Sequence, residues 1–431
     1  MKCNKQNLLF SLAALTALWL PLAGHAETVA IINAKVYTLG PQGTLESGTV
    51  LIDDGRISTV GKNVTVPRGA TVIDAEGNAV TPGIFESLSY LGLVEVGQVG
   101  ATNDNAVKDS YGPAFPVADA FNPRSTLIPI NRIEGVTRAL VTPRAREGSQ
   151  LIAGQAAVMH LGGGDASLIE RTAGMIVFLG DRGSALAGGS RAAALLSLRE
   201  ALEDARDLEE NRADFDEGRR RAYALSRLDL EALADVVGGK IPLIAYAQRV
   251  SDIEALLAFA REESIKLVIA GAAEGWMIAN QIAAAKVPVI LDPMANLPGS
   301  FETLNARLEN AALLYEAGVL IAFAEGDSHN ARNLKQAAGN AVAFGLPWEQ
   351  GLRAITVNPA TIFGQGDACC TLEAGKEGDV VIWDGDPLEV TTFASHVFIR
   401  GEQIPMHSRQ TLLRDRYLEL GGDWPPAYRK P

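Results

Sequence analysis

Histidine and cysteine, the side chains that most often hold transition metals, are scarce: five and three in 431 residues. No Cys-x-x-Cys spacing occurs, which removes the usual structural zinc sites. Beyond the first residues the only cysteines are Cys369 and Cys370, which are neighbours. A disulfide wants its Cα atoms farther apart than adjacent residues sit, so two partly buried thiols in a loop are expected. No Gly-x-Gly-x-x-Gly follows an early strand, and no Gly-x-Ser-x-Gly elbow occurs. Positive charge is in deficit, with 38 Lys and Arg against 51 Asp and Glu and a net charge of −13. That balance speaks against nucleic acid and anionic membrane surfaces as partners. Long apolar runs are also missing, save one. Leu8 to Leu22 follows Lys2 and Lys5, precedes Gly24-His25-Ala26, and is shorter than the ~20 residues of a spanning helix. It reads as a signal peptide over residues 1–26, giving an exported, periplasmic chain with no membrane insertion after cleavage.

What is present is core material: 47% of residues are hydrophobic and 21% charged. Residues 27–81 read as short strands and turns. Hairpins are expected in "GTVLIDDGRISTVG" and in "ATVIDAEGNAVTPG". From Pro82 the texture changes. "TRALVTP", "MIVFLG", "IPLIAYA", "KLVIAGA", "VPVILDP" and "VLIAFAEGD" are strand candidates, several apolar on both faces, as buried parallel strands are. Between them lie helical stripes: "SDIEALLAFAREES" from a Ser251 cap, "EGWMIANQIAAAK", and "SFETLNARLENAALLYEAG" ending at Gly318. The alternation predicts a TIM-type (β/α)8 barrel over 82–364, with an open doubly wound sheet as the alternative. Charges at helical spacing over about 197–235 predict a solvated helical excursion, or else a partner-docking arm. Residues 365–431 return to strand texture and are expected to join the N-terminal strands in one β-sandwich.

The two ends carry a resemblance. "VAIINAKVYT…GTVLIDDGRISTVG…VIDAEGNAVTPG" resembles the opening of the amidohydrolase superfamily, and "LRAITVNPATIFG…TLEAGKEGDVVIWDGDPLEV…VFIRGE" resembles its close. The likeness is to imidazolonepropionase-like and related dipeptidase or dihydroorotase-type enzymes. It implies a metal-dependent hydrolase of non-peptide or dipeptide C–N bonds, with one or two divalent ions at the C-terminal mouth of the barrel. The ligands it implies are a His-x-His pair on the first strand, one His after the fifth, one after the sixth, and an Asp after the eighth. A bound ion lowers the pKa of its water to about 7 and polarises the scissile carbonyl. In this chain the first-strand pair falls on Leu88 and Tyr90, the fifth-strand ligand on Tyr246, and the sixth on or next to Gly271. The acid alone has a counterpart, Asp327, with Glu325 as the register alternative. None of His160, His329, His396 and His407 lies in the required strands. The usual metal cofactor is therefore not expected.

Two other uses of these residues stay open. Glu86, Asp292, Glu325, Asp327, His329 and His160 could form a carboxylate-rich site for a harder divalent ion, with Asp327 as the catalytic residue. Acids at strand ends more commonly cap the following helix, and His160 reads better as a satisfied structural histidine. A triad of Ser87 or Ser89 with His329 and Asp327 also stays open. Tyr90, Tyr246, Arg249, Glu274 and His329, with Trp276, could line a pocket for a small-molecule ligand, or fill the space that metal and water occupy elsewhere. Three readings follow: a degenerate amidohydrolase, an active hydrolase with a relocated site around Asp327, and an exported interaction protein. The partners these imply are a small ligand, a second copy of the chain, or an active relative.

Overall fold

The computed structural model describes residues 28–108, 111–163, 167–418 and 425–428. The signal peptide expected over 1–26 lies outside them. The chain opens with β1 (Val29–Tyr37), β2 (Thr44–Asp53), β3 (Arg56–Gly61), β4 (Thr71–Asp74) and β5 (Ala79–Pro82). β2 and β3 form the first expected hairpin, turning through Asp54 and Gly55 with φ of 47° and 77°. An Asp-Gly pair at positive φ matches the right-handed twist of the flanking strands. The second expected hairpin is not one. β4 pairs in parallel with Val29–Ile32 of β1, and β5 in parallel with Lys35 and Val36. The switch falls at Asn33, which is left-handed (φ 52°) and donates its side-chain amide to Asp74 Oδ2 at 3.0 Å.

The barrel follows as β6 (Ile84–Ser89), β7 (Val136–Val141), β8 (Ile152–His160), β9 (Leu168–Phe178), β10 (Leu243–Ala247), β11 (Leu267–Gly271), β12 (Val289–Leu291) and β13 (Ile321–Phe323). They stand in sequence order in one eight-stranded sheet. β13 and β6 close it through side chains and single amides. Glu86 Oε1 accepts from Glu325 N (3.1 Å), and Ser89 Oγ donates to the Asp327 carbonyl (2.9 Å). The lumen is filled by Phe85, Leu140, Val158, Ile176, Ile244 and Ile290, all buried. Each such side chain contributes roughly 1.5–3 kcal/mol when fully buried.

One strand departs from the expected β/α alternation. β8 runs antiparallel to both β7 and β9, so β7–β8–β9 is a meander. Residues 142–151, 161–163 and 167 carry no helix, and parallel pairing needs a crossover of a dozen or more residues, more than either connection has. The charged stretch is not an excursion either. Its helices Arg191–Glu210 and Arg227–Val237 are the crossover from β9 to β10. They bury Leu198, Leu202 and Leu208, and Leu230, Leu233 and Val236, in the main core, and only the opposite face is solvated. The helix expected over 300–318 is confined to Asn310–Glu316. The preceding residues are held in turns instead, because Glu302 accepts from Asp181 N and Arg191, and Asn305 donates to Glu274. Helix Val250–Glu263 has Arg249, not Ser251, at its cap; the Ser251 hydroxyl accepts from Arg249 Nε at 2.8 Å.

The chain returns through β14 (Val380–Trp383), β15 (Ala394–Ile399) and β16 (Glu402–Gln403). β14 pairs antiparallel with β5, so both ends of the chain build a separate sheet ordered β16-β15-β14-β5-β1-β2-β3, with β4 on β1. Its joint with the barrel is polar and buried. Arg138 of β7 is 0% exposed and pairs with Asp379 (Nε to Oδ2, 2.7 Å) and Glu377. Gly83 crosses here because a Cβ would lie 2.2 Å from Thr137 Oγ1. Cys369 and Cys370, expected as thiols, are joined as a disulfide among the buried residues beside Phe363. Cys370 is left-handed (φ 74°), a conformation that the spacing argument leaves out. No helix among the described residues is long and apolar enough to cross a membrane.

Candidate functional site

The C-terminal ends of the parallel strands form the barrel mouth, where sites of this architecture lie. Leu88 points into the lumen and is buried with Phe85. Tyr246 of β10 stacks on Phe178 of β9, with ring centroids 4.5 Å apart and planes 9° off parallel. The Arg144 guanidinium lies 5.8 Å over the ring of Tyr90. Burial, then Tyr90 and Glu86, push the Tyr246 phenol well above its ordinary value. Burial also raises Tyr90, with Arg144 opposing and Asp327 adding. Both phenols therefore stay neutral near pH 7.

The sixth-strand position is closed in a different way. Gly271 ends β11 with φ 101°, and a Cβ there would lie 2.5 Å from Gln248 Nε2. Gln248 Oε1 accepts from Ala273 N at 3.1 Å, which holds its amide over the glycine. Gly271→His is expected to lose about 1–3 kcal/mol through overpacking and the left-handed backbone, and to gain no zinc. Thermal melting beside elemental analysis checks both halves; a stable variant carrying one zinc would contradict the geometry.

The acids divide by role. Asp327 spends its carboxylate on its own turn, with Oδ1 accepting from the Ser328 and His329 amides and Oδ2 from Asn330 Nδ2 (2.9 Å). His329 meets Asn330 Oδ1 (3.2 Å) and Gln410 Nε2 (2.8 Å) of the C-terminal helix. Arg249 is bonded to Ser251 and Asp252 at the start of its own helix. Glu274 accepts from Val250 N (3.1 Å) and from Asn305 N and Nδ2, tying that helix start to the 300–309 turns. Trp276 Nε1 donates to the Asn305 carbonyl in the same wall. Tyr90, Tyr246, Glu86, Glu325 and Asp327 are thus brought together at the mouth, while Arg249, Glu274 and His329 belong to its surrounding wall. His160 ends the reversed β8 and lies at the opposite face of the barrel. His396 is on β15 of the separate sheet.

Glu86 and Glu325 form the unusual pair. Glu86 is 0% exposed; its Oε1 accepts from Glu325 N and, at 3.4 Å, from Leu88 N, while Oε2 has no partner among the described residues. Burial and then the charge of Glu325 raise its pKa well above the carboxylate range. Burial, then Asp292 and Asp327, push Glu325 up to about 7. Sequence reasoning missed the opposite rim. Arg144, Arg146 and Arg182 all act on Tyr90. Their positions just after β7 and β9 were the available signal, since strand ends of this polarity carry sites. A cleft of about 400 Å³ opens there between residues 147–150 and Arg182, Ala185 and Leu186.

The divalent ions that the resemblance implies do not fit these residues. Leucine, a neutral stacked phenol and a covered glycine stand where imidazoles are needed. Among the described residues no group of three or more His, Cys, Asp or Glu is placed to hold a metal ion.

Comparison with known proteins agrees with the architecture. Residues 198–404 match the amidohydrolase family model. The amidohydrolase tasK of Hapsidospora irregularis is 24% identical over 425 residues, which is 88% of this chain and 43% of that protein. A 5'-deoxyadenosine deaminase of Methanosarcina acetivorans is 47% identical over 66 residues, 15% of each chain. The chain therefore spans less than half the length of these curated relatives. The crystal structure of an amidohydrolase from Thermotoga maritima superposes with a TM-score of 0.78 at 25% identity, covering 88% of this chain and all of that one. With its near-closed barrel and its sheet built from both chain ends, this chain has the fold of the amidohydrolase superfamily.

Proposed function

We propose that this chain is a non-hydrolytic member of the fold, exported, that binds a small polar ligand at the barrel mouth without a metal ion. The observation that carries this reading is the triple replacement at the mouth by Leu88, by Tyr246 stacked on Phe178, and by Gly271 beneath Gln248. The mouth has kept polarity without the hydrolytic set: carboxyl groups of Glu86, Glu325 and Asp327 on one side, guanidinium groups on the other, and two neutral phenols between them. Such a site suits a ligand that carries both an acidic and a basic group. The 400 Å³ cleft beside Arg182 falls within the usual size of small-molecule sites. A second copy or an active relative remains the proposed assembly partner.

An active hydrolase with a relocated site has one observation in its favour. Glu325, with a pKa of about 7, is suited to general acid–base work beside Glu86, whose Oε2 has no partner among the described residues. Against it, both oxygens of Asp327 are engaged in their own turn. Metal content of protein purified without chelators, together with turnover of peptidic, ureido and lactam substrates, separates the readings. The expected result is substoichiometric metal and no turnover. Turnover abolished by Glu325→Gln would establish the relocated site instead.

A further inference from the structure

A groove of about 1400 Å³ opens at the barrel face opposite the mouth, where β10, β11 and β12 begin. Its floor includes Pro242, Leu257, Leu267, Val268 and Phe363, and Glu170, Thr172 and Ala173 of β9 form one side. That side is a free strand edge. β9 pairs with β8 down to Leu168, but β10 begins opposite Met175. From Leu168 to Gly174 no strand among the described residues lies on the β10 side, which leaves about 20 Å of edge. Register shifts near Ala156 and Val158 mark the stretch where β9 pairs irregularly.

Cations outnumber carboxylates around the groove of an acidic chain: Lys240, Arg261, Lys266 and Lys286 line it, against Glu170 and Glu254. Lys240 is paired with Asp235 at 2.8 Å. Arg261, Lys266 and Lys286 are exposed and have no ion-pair partner among the described residues. Helix C-termini attract cations, which accounts for the placement of Arg261 and Lys286 near the ends of Val250–Glu263 and Ala279–Ala285. It does not account for three unpaired cations around an open apolar floor.

We propose that the groove binds an extended acidic segment of a partner protein, added as a strand along the free edge of β9. Strand addition draws affinity from backbone hydrogen bonds and specificity from alternate side chains, here apolar toward the floor and acidic toward the rim. The volume exceeds the 300–1,000 Å³ typical of small-molecule sites, which favours a peptide over a compact anion. This surface lies at the far end of the barrel from the mouth and does not depend on the reading given to the mouth.

The probe is a fluorescein-labelled octapeptide of alternating valine and glutamate, followed by anisotropy on the full chain, with a valine–lysine octapeptide as control. Binding of the acidic peptide alone is expected, weakened at least tenfold by the triple variant R261E/K266E/K286E and about threefold by the single exposed variant K266E. Amides of residues 168–174 are expected to exchange more slowly with peptide bound. The proposal is overturned by equal binding of both peptides, by no binding, by an unchanged affinity in K266E, or by unaltered exchange at 168–174. Binding of dodecanoate in place of the peptide would assign the groove to a small amphipathic anion and overturn it as well.

Discussion

Replacing Arg138 with leucine is expected to lower folding stability by about 3–5 kcal/mol, the range seen when one member of a buried ion pair is removed. The guanidinium is fully buried between Asp379 and Glu377. Burial works against its charge, but Asp379 and Glu377 outweigh that and hold its pKa above the ordinary value. Leucine would leave two carboxylates behind, one of them, Asp379, buried. Asp379 is also a junction: Oδ1 accepts from Arg400 N (2.8 Å) and its carbonyl from Gly83 N (3.0 Å). The loss therefore falls on the seam between barrel and sheet. Urea midpoints check the prediction. The triple variant R138L/E377Q/D379N is expected to recover most of the loss, because neutral amides cost far less to leave unpaired. A single variant with the wild-type midpoint would show that the seam is held by something else.

The second large effect is a decline in stability as pH rises from about 5 to 8. Glu86 and Glu325 both have pKa values raised in the folded state, so that state binds more protons than the unfolded one over this window. Stability is then highest below the ordinary carboxylate pKa and falls until the folded-state pKa is passed. For Glu325, a rise from 4.5 to about 7 corresponds to a loss of at most about 3 kcal/mol, and solvent screening of this half-buried carboxyl lowers it further. Its coupling to Asp292 and Asp327 makes that an upper figure for the one residue. Glu377 works in the opposite sense. Arg138 and Arg400 hold it below the usual range despite burial, so its contribution is lost only as pH falls well below 5. Denaturation at pH 5, 6, 7 and 8 should show the decline, and Glu86→Gln and Glu325→Gln should each flatten it. A slope unchanged by Glu325→Gln would rule out Glu325 as a source of the decline.

Much of the frame could be read from the chain alone, because it rests on local patterns. Thr81-Pro82-Gly83 marks the entry to the barrel, and Gly83 is needed there by its contact with Thr137. Leu88, Tyr90 and Tyr246 could be read as replacements only through the resemblance of the chain's two ends to the superfamily, strand periodicity adding that Leu88 and Tyr90 share a face. What stayed hidden depends on contacts distant in sequence. Glu86 and Glu325 are 239 residues apart, and only barrel closure brings them together. Gln248 closes the Gly271 position through a side chain that no strand pattern points to. The reversal of β8 is set by the length of two connections rather than by its own apolar residues, which read equally well in either direction.

That reversal alters how the mouth is electrified. In a regular β/α barrel every sector of the mouth ends in a helix start, whose aligned amides contribute about half a positive charge in a fixed place. Between β7 and β9 no helix begins among the described residues, so this sector has no such built-in field. Arg144 and Arg146, on the loop after β7, put whole charges there on flexible stems instead. An exposed charge of that kind is screened over about 10 Å at 0.1 M salt. Attraction of anionic groups through this sector should therefore rest on these two side chains and weaken with ionic strength.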